Sequence, residues 1–156
     1  MTYPFGCANI TDFQYFVYTV MGVPASALPI VAPATVNPDV ETAFCLGFDT
    51  VNPFIRQVSP HYYNLALYNW AGDWLINWAE DAECSTYFAD LRKKWNITTF
   101  VAGVVASTAD VSTSTALATP DNLKNLTIGD LQYLKTPYGR MYLSIAQRMG
   151  SLWGIS

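Results

Sequence analysis

The stretch from Ser59 to Ala79 constrains this chain more than any other. Ser59-Pro60 is a helix entry: a side-chain acceptor for the first free N–H groups, then a proline whose fixed φ suits the first turn. The helix it opens runs over about His61 to Ala79. Its polar residues Asn69, Asp73 and Asn77 recur every four positions and make one narrow stripe. Around them stand Tyr62, Tyr63, Leu65, Leu67, Tyr68, Trp70, Trp74, Leu75, Ile76 and Trp78. An apolar arc this wide belongs to a helix covered on most of its circumference. Asp73 and the two asparagines interrupt the segment too often for a membrane span, which needs about 18 clean apolar residues. The helix is therefore either the centre of a domain or shared with neighbouring copies.

The remaining pattern is mainly helical. A first helix is expected over Asp12 to about Met21, with Thr11 as N-cap, Phe13, Phe16 and Val17 as its buried stripe, and Gly22 as its stop. Val23 to Val36 contains Pro24, Pro29 and Pro33, so it reads as an apolar connector lying on the core. Asn37-Pro38 restarts the chain with Asp39 and Glu41 in the first turn, and Val40, Phe44, Cys45 and Phe48 as the expected buried face. After Glu80-Asp81-Ala82-Glu83 comes a helix over roughly Ser85 to Trp95. Acids lead it and Arg92-Lys93-Lys94 close it, as the helix dipole favours.

Residues 98–119 change character, with Val, Thr, Ser, Ala and Gly and a single charge, Asp110. Alternation places Val111, Thr113, Thr115 and Leu117 on one face of a strand. Two strands are expected, Phe100–Ser107 and Val111–Leu117, turning near Thr108–Asp110. A lone two-stranded ribbon is marginal in water, so this segment needs something else to pair with or pack on. Short helical turns are read from Thr119-Pro120-Asp121 and from Thr127 to about Leu134. Thr136-Pro137 then opens a last helix to about Met149, with Tyr142, Ile145 and Ala146 inward. The apolar tail with Leu152 and Trp153 is expected to dock rather than fray. The chain thus reads as one domain over residues 1–156: helical over 1–97, a hairpin or extended arm over 98–119, and C-terminal helices with a docking tail over 120–156.

Charged residues are only 13% of the chain and aromatics 15%, against roughly 25% charged in an ordinary soluble domain. Few charges and many aromatics suit a surface covered by partners. The net charge of −4 argues against a protein that grips nucleic acid through its phosphates. Cys7, Cys45 and Cys84 form no spacing motif and His61 is the lone histidine, so neither a disulfide framework nor a Cys/His zinc site is expected. The N-terminus has no basic region followed by an apolar run, so no signal peptide is read. No nucleophile elbow, phosphate-binding loop, dinucleotide fingerprint or metalloprotease motif occurs. His61, beside Ser59 at a helix start, is the single candidate general base. Trp70, Trp74 and Trp78, four residues apart, read as a packing seam in the core or at a subunit interface, and no cofactor is implied.

The sequence Leu131-Gln132-Tyr133-Leu134-Lys135-Thr136-Pro137-Tyr138-Gly139-Arg140-Met141-Tyr142-Leu143, ending in Leu152-Trp153-Gly154, follows the Ser/Thr/Val-rich segment. In this it resembles the small head–tail connector, or adaptor, proteins of tailed bacteriophage necks. Thr136–Arg140 carries the motif, and the apolar helix from Tyr63 to Leu75 fits the organisation. The Trp-rich Asn69–Trp78 stretch departs from it, standing where the family has a Leu/Ala/His-type helix. The resemblance implies a small, mainly α subunit with a protruding β-hairpin or extended arm, assembling into a twelve-fold ring that matches a portal. It implies a virion structural protein, made in the host cytoplasm, with portal and next neck or tail protein as partners. DNA would transit the lumen without specific binding, and no membrane is involved. Thr136, Pro137, Tyr138, Gly139 and Arg140 become the structural or docking motif. Trp70, Trp74, Trp78, Val111, Thr113, Thr115, Leu152 and Trp153 become candidate subunit or partner contacts. A tail-completion or minor capsid protein is the alternative within the particle. A small hydrolase using His61, or an aromatic-ligand-binding module using the tryptophans, is the alternative of another class.

Overall fold

A computed structural model describes residues 8–97, 107–110, 113–116 and 133–149. The protein is mainly helical. Helix α1 (Ile10–Tyr15) passes directly into a π-helical turn, Phe16–Val20. The N-cap is Asn9, whose side chain accepts from the Asp12 N–H at 2.8 Å. The expectation of Thr11 as cap is corrected, because the helix begins two residues earlier. Gly22, at φ +71°, ends the segment. The proline-rich connector folds back on the core, burying Val23, Ala27 and Leu28.

Helix α2 (Pro38–Thr50) starts on Asn37, whose side chain accepts from the Asp39 N–H at 2.9 Å. Its buried face is Val40, Ala43 and Gly47. Cys45 and Phe48 are exposed, contrary to the sequence reading, and Phe44 is half-buried. The reason is close approach: a Cβ on Gly47 would lie 3.3 Å from the Trp70 ring and 3.4 Å from Ala71 Cβ. Small residues let α2 come in against the next long helix, and that turns the larger side chains outward. A short helix α3 (Phe54–Val58) leads to α4 (Pro60–Trp78), capped by Ser59.

Helix α4 is the axis of the molecule, and besides the helices next to it in sequence three elements lie around it. The π-turn side places Met21 and Phe16 beside Gly72. Helix α2 lies on Leu67, Trp70 and Ala71. The third neighbour is α6 (Pro137–Arg148), reached through Asp73 and Trp70. Coverage from several sides accounts for a helix with 11 of its 19 residues buried. Fully buried Phe13, Val17, Val40, Ile55, Leu67 and Leu75 form the centre of the core.

Helix α5 (Tyr87–Lys94) is joined to α4 by reciprocal caps. Asp81, just beyond α4, accepts from the N–H groups of Phe88 (2.7 Å) and Ala89 (2.9 Å). Arg92 of α5 reaches back and donates to the carbonyls of Asn77 (3.0 Å) and Ala79 (2.7 Å) at the end of α4. The acids and bases flanking α5 thus act on orphan backbone groups at two helix ends.

Backbone segments β1 (Ser107–Asp110) and β2 (Thr113–Ala116) pair antiparallel, in a register running from Ser107↔Ala116 to Asp110↔Thr113. Thr108–Asp110, expected as the turn, lie in β1, because the ladder closes on the Asp110↔Thr113 pair. The remainder of the first expected strand, Val111, Leu117, the turns between Thr119 and Gln132, and the tail with Leu152 and Trp153 lie outside the described residues.

Candidate functional site

The start of α6 is where the sequence motif meets the core. Thr136 is fully buried and is the N-cap of α6. Its hydroxyl oxygen accepts from the Gly139 N–H at 2.8 Å, while its hydroxyl proton is donated to Asp73 Oδ1 in the middle of α4. Pro137 occupies the first helical position, as its fixed φ favours. At Gly139 a Cβ would stand 2.2 Å from the Tyr133 carbonyl oxygen, so the backbone three residues before the cap crosses the helix where no side chain fits. Tyr138 is half-buried, edge-on to Phe16 (6.2 Å between centroids) and to Trp95 (6.5 Å). Burial, with the Tyr87 phenol adding to it, raises the Tyr138 hydroxyl above its ordinary value. Arg140 is exposed and donates to the Leu134 carbonyl at 3.2 Å.

Asp73 is 3% exposed. Burial pushes its carboxyl up to about 7, against the hydrogen bonds from Thr136 and Asn77, which act to lower it. Desolvation of the charged form is the largest influence and decides that balance. The polar stripe of α4 therefore faces inward. Asn69, 5% exposed, returns its amide to the Leu65 carbonyl. Asn77 donates to the Asp73 carbonyl and leaves its own Oδ1 buried without a partner. Sequence spacing marked these residues as a stripe, but gave no sign of Thr136 as the partner, 63 positions away.

No family model, curated protein or solved structure matches this chain. What the arrangement does must therefore be read from its own residues.

The three tryptophans of the α4 seam part company along the helix. Trp70 is buried and its indole N–H donates to the Tyr133 hydroxyl at 3.1 Å. Trp74 is half-buried, and Trp78 is 64% exposed. Tyr133 also packs against Tyr142, and its bond to Trp70 makes it a second tie between α4 and the α6 region that sequence reading missed. His61 is exposed on the first turn of α4. Among the described residues, no group of three or more His, Cys, Asp or Glu is placed to hold a metal ion, and no helix is long and apolar enough to cross a membrane. Thr113 and Thr115 are in β2, while Val111, Leu152 and Trp153 lie outside the described residues.

Proposed function

We propose that this chain is a structural subunit of a bacteriophage neck, part of a ring beneath the portal that joins head to tail around a DNA channel. The observation that carries the reading is the surface. Phe48, Phe54, Val58, Trp78 and Met141 are each between 46% and 64% exposed on a chain with 13% charged residues. Of those scarce charges, Asp73, Asp81 and Arg92 are engaged in helix caps and clasps. The outside is left apolar and lightly charged, the condition of a subunit covered by neighbours. The resemblance at Thr136–Arg140 supplies the kind of assembly, and the acidic net charge suits a conduit along which a polyanion slides. The paired β1 and β2 segments would serve as the arm that reaches a neighbour.

The hydrolase alternative has less behind it. His61 and the buried carboxyl of Asp73 are twelve residues apart on one helix, about 18 Å along its axis, too far to act on one another. Quantitative mass spectrometry of purified parent virions, with cross-linking, tests the neck reading. A ring-like copy number and cross-links to the portal are expected. Copy numbers of a shell or tail-tip component would favour a minor capsid or tail-completion role, and absence from particles would overturn the proposal.

A further inference from the structure

Charge is segregated among the described helices of this chain. Residues 8–90 hold nine carboxylates and one base, Arg56, whereas 91–97 and 133–149 hold Arg92, Lys93, Lys94, Lys135, Arg140 and Arg148 and no carboxylate. Two helices display that separation on outward faces. On α2, whose Val40, Ala43 and Gly47 face inward, the opposite side exposes Glu41, Cys45 and Asp49. On α6, whose Gly139, Tyr142, Ile145 and Ala146 face inward, the opposite side carries Arg140, Ser144 and Arg148. Glu41 and Asp49 are eight residues apart, and so are Arg140 and Arg148, which is about 12 Å along each helix axis. A small residue sits midway in each case, Cys45 on α2 and Ser144 on α6. Exposed apolar side chains flank both stripes, Phe48 on α2 and Met141 on α6.

We infer that the acidic outward face of α2 in one copy of this chain docks on the basic outward face of α6 in the next. The matched spacing lets both carboxylates meet both guanidinium groups, whether the helices run parallel or antiparallel. In either direction Cys45 falls opposite Ser144, where small side chains permit helix axes about 8–10 Å apart. The two stripes share no residue and lie on separate helices, each packed on α4, so they are two distinct patches of one subunit. The contact is therefore heterologous, the kind that propagates head to tail and closes into a ring when the rotation allows. This inference rests on the ring reading above and names the contact that builds the ring.

The test uses the full chain with Cys7→Ser and Cys84→Ser, so that Cys45 is the remaining thiol, and adds Ser144→Cys. Mild oxidation at low salt, or a short bis-maleimide, is expected to give covalent multimers beyond dimer, with peptide mapping showing 45–144 links. Mixing isotopically labelled and unlabelled chains identifies those links as intermolecular. Links of 45 to 45 or of 144 to 144, or no 45–144 link at all, overturn the inference. A second arm compares Glu41→Arg/Asp49→Arg with Arg140→Glu/Arg148→Glu by sedimentation. Each alone is expected to self-associate at least about tenfold more weakly than the parent chain. An equimolar mixture restores association, because the reversed faces complement each other. Unchanged association in either variant overturns the inference. Should the parent chain form rings, or show a ring-like copy number in virions, without 45–144 links, the interface fails and the neck reading stands. A chain absent from particles but linked 45–144 leaves the interface standing and the neck reading overturned.

Discussion

Thr136 and Asp73 form one unit although 63 residues separate them. The hydroxyl that caps α6 by accepting from Gly139 also donates to the carboxyl at the centre of α4. The last helix thus cannot keep its cap without meeting the central helix in one register. Thr136→Val keeps the shape and removes the hydroxyl. It forfeits a cap of about 1–2 kcal/mol and strips a buried carboxyl of a donor, about 1–2 kcal/mol more. Thermal unfolding should fall by roughly 5–12 °C for a chain of this size. Thr136→Ser keeps both bonds and loses a methyl group, so its loss should stay near 1 kcal/mol. Equal losses in the two variants would mean that the hydroxyl contributes nothing.

Asp73 makes stability fall as pH rises. Its carboxyl ionises at about 7 in the folded chain and near 3.9 when unfolded. The protonated form therefore favours the folded state. Its contribution is complete below about pH 4, declines by up to about 1.4 kcal/mol per pH unit until about pH 7, and is flat above that. Asp73→Asn cannot ionise, yet keeps an oxygen to accept from Thr136. Relative to the parent chain, this variant should gain stability steadily between pH 4.5 and 7.5 in denaturant titrations. Parallel profiles would show that the carboxyl titrates alike in both states.

Gly139 and Gly47 both mark close approach, but of different severity. A Cβ at 139 would fall 2.2 Å from a backbone oxygen and 2.8 Å from two backbone carbons of Tyr133. Backbone must move, so Gly139→Ala should cost about 3 kcal/mol or more and loosen α6 from α4. At 47 the nearest atoms stand at 3.3–3.5 Å, and the helix interior gains up to about 1 kcal/mol from alanine. Gly47→Ala should therefore change stability by less than about 1 kcal/mol. Urea unfolding of the two variants side by side measures the contrast.

The helix entries were legible because a cap is local chemistry. Asn37-Pro38, Ser59-Pro60 and Thr136-Pro137 each open a helix where their side chains suggest. The wide apolar arc of α4 likewise announced a helix surrounded by others. The rotation of α2 was not legible. Hydrophobic size pointed to Phe44 and Phe48, whereas Val40, Ala43 and Gly47 are the buried residues and Gly47 meets α4. The Asp73–Thr136 pair was hidden for a different reason, since a four-residue polar period looks the same whether its partner is water or a distant hydroxyl. The π-turn at Phe16–Val20, which interrupts the expected single helix, has no composition signal at all.

The tryptophans of α4 should separate the core from the outer surface. Trp70→Ala removes a buried indole together with its N–H bond to the Tyr133 hydroxyl, a loss of about 3–5 kcal/mol. Trp74→Ala, at a half-buried position, should fall between that loss and none. Trp78 has 64% of its surface exposed, so Trp78→Ala should leave denaturant unfolding of the isolated subunit within about 0.5 kcal/mol. An exposed indole at the end of a central helix gains only when another surface covers it. On the proposed neck role, the same variant should therefore weaken assembly with a portal or a neighbouring subunit, measured by co-sedimentation, while its unfolding curve overlays that of the parent chain. If Trp78→Ala instead unfolds like Trp70→Ala, the indole belongs to the core of this subunit. If it leaves both unfolding and assembly unchanged, the partner surface lies elsewhere, and the stripes on α2 and α6 become the faces to test next.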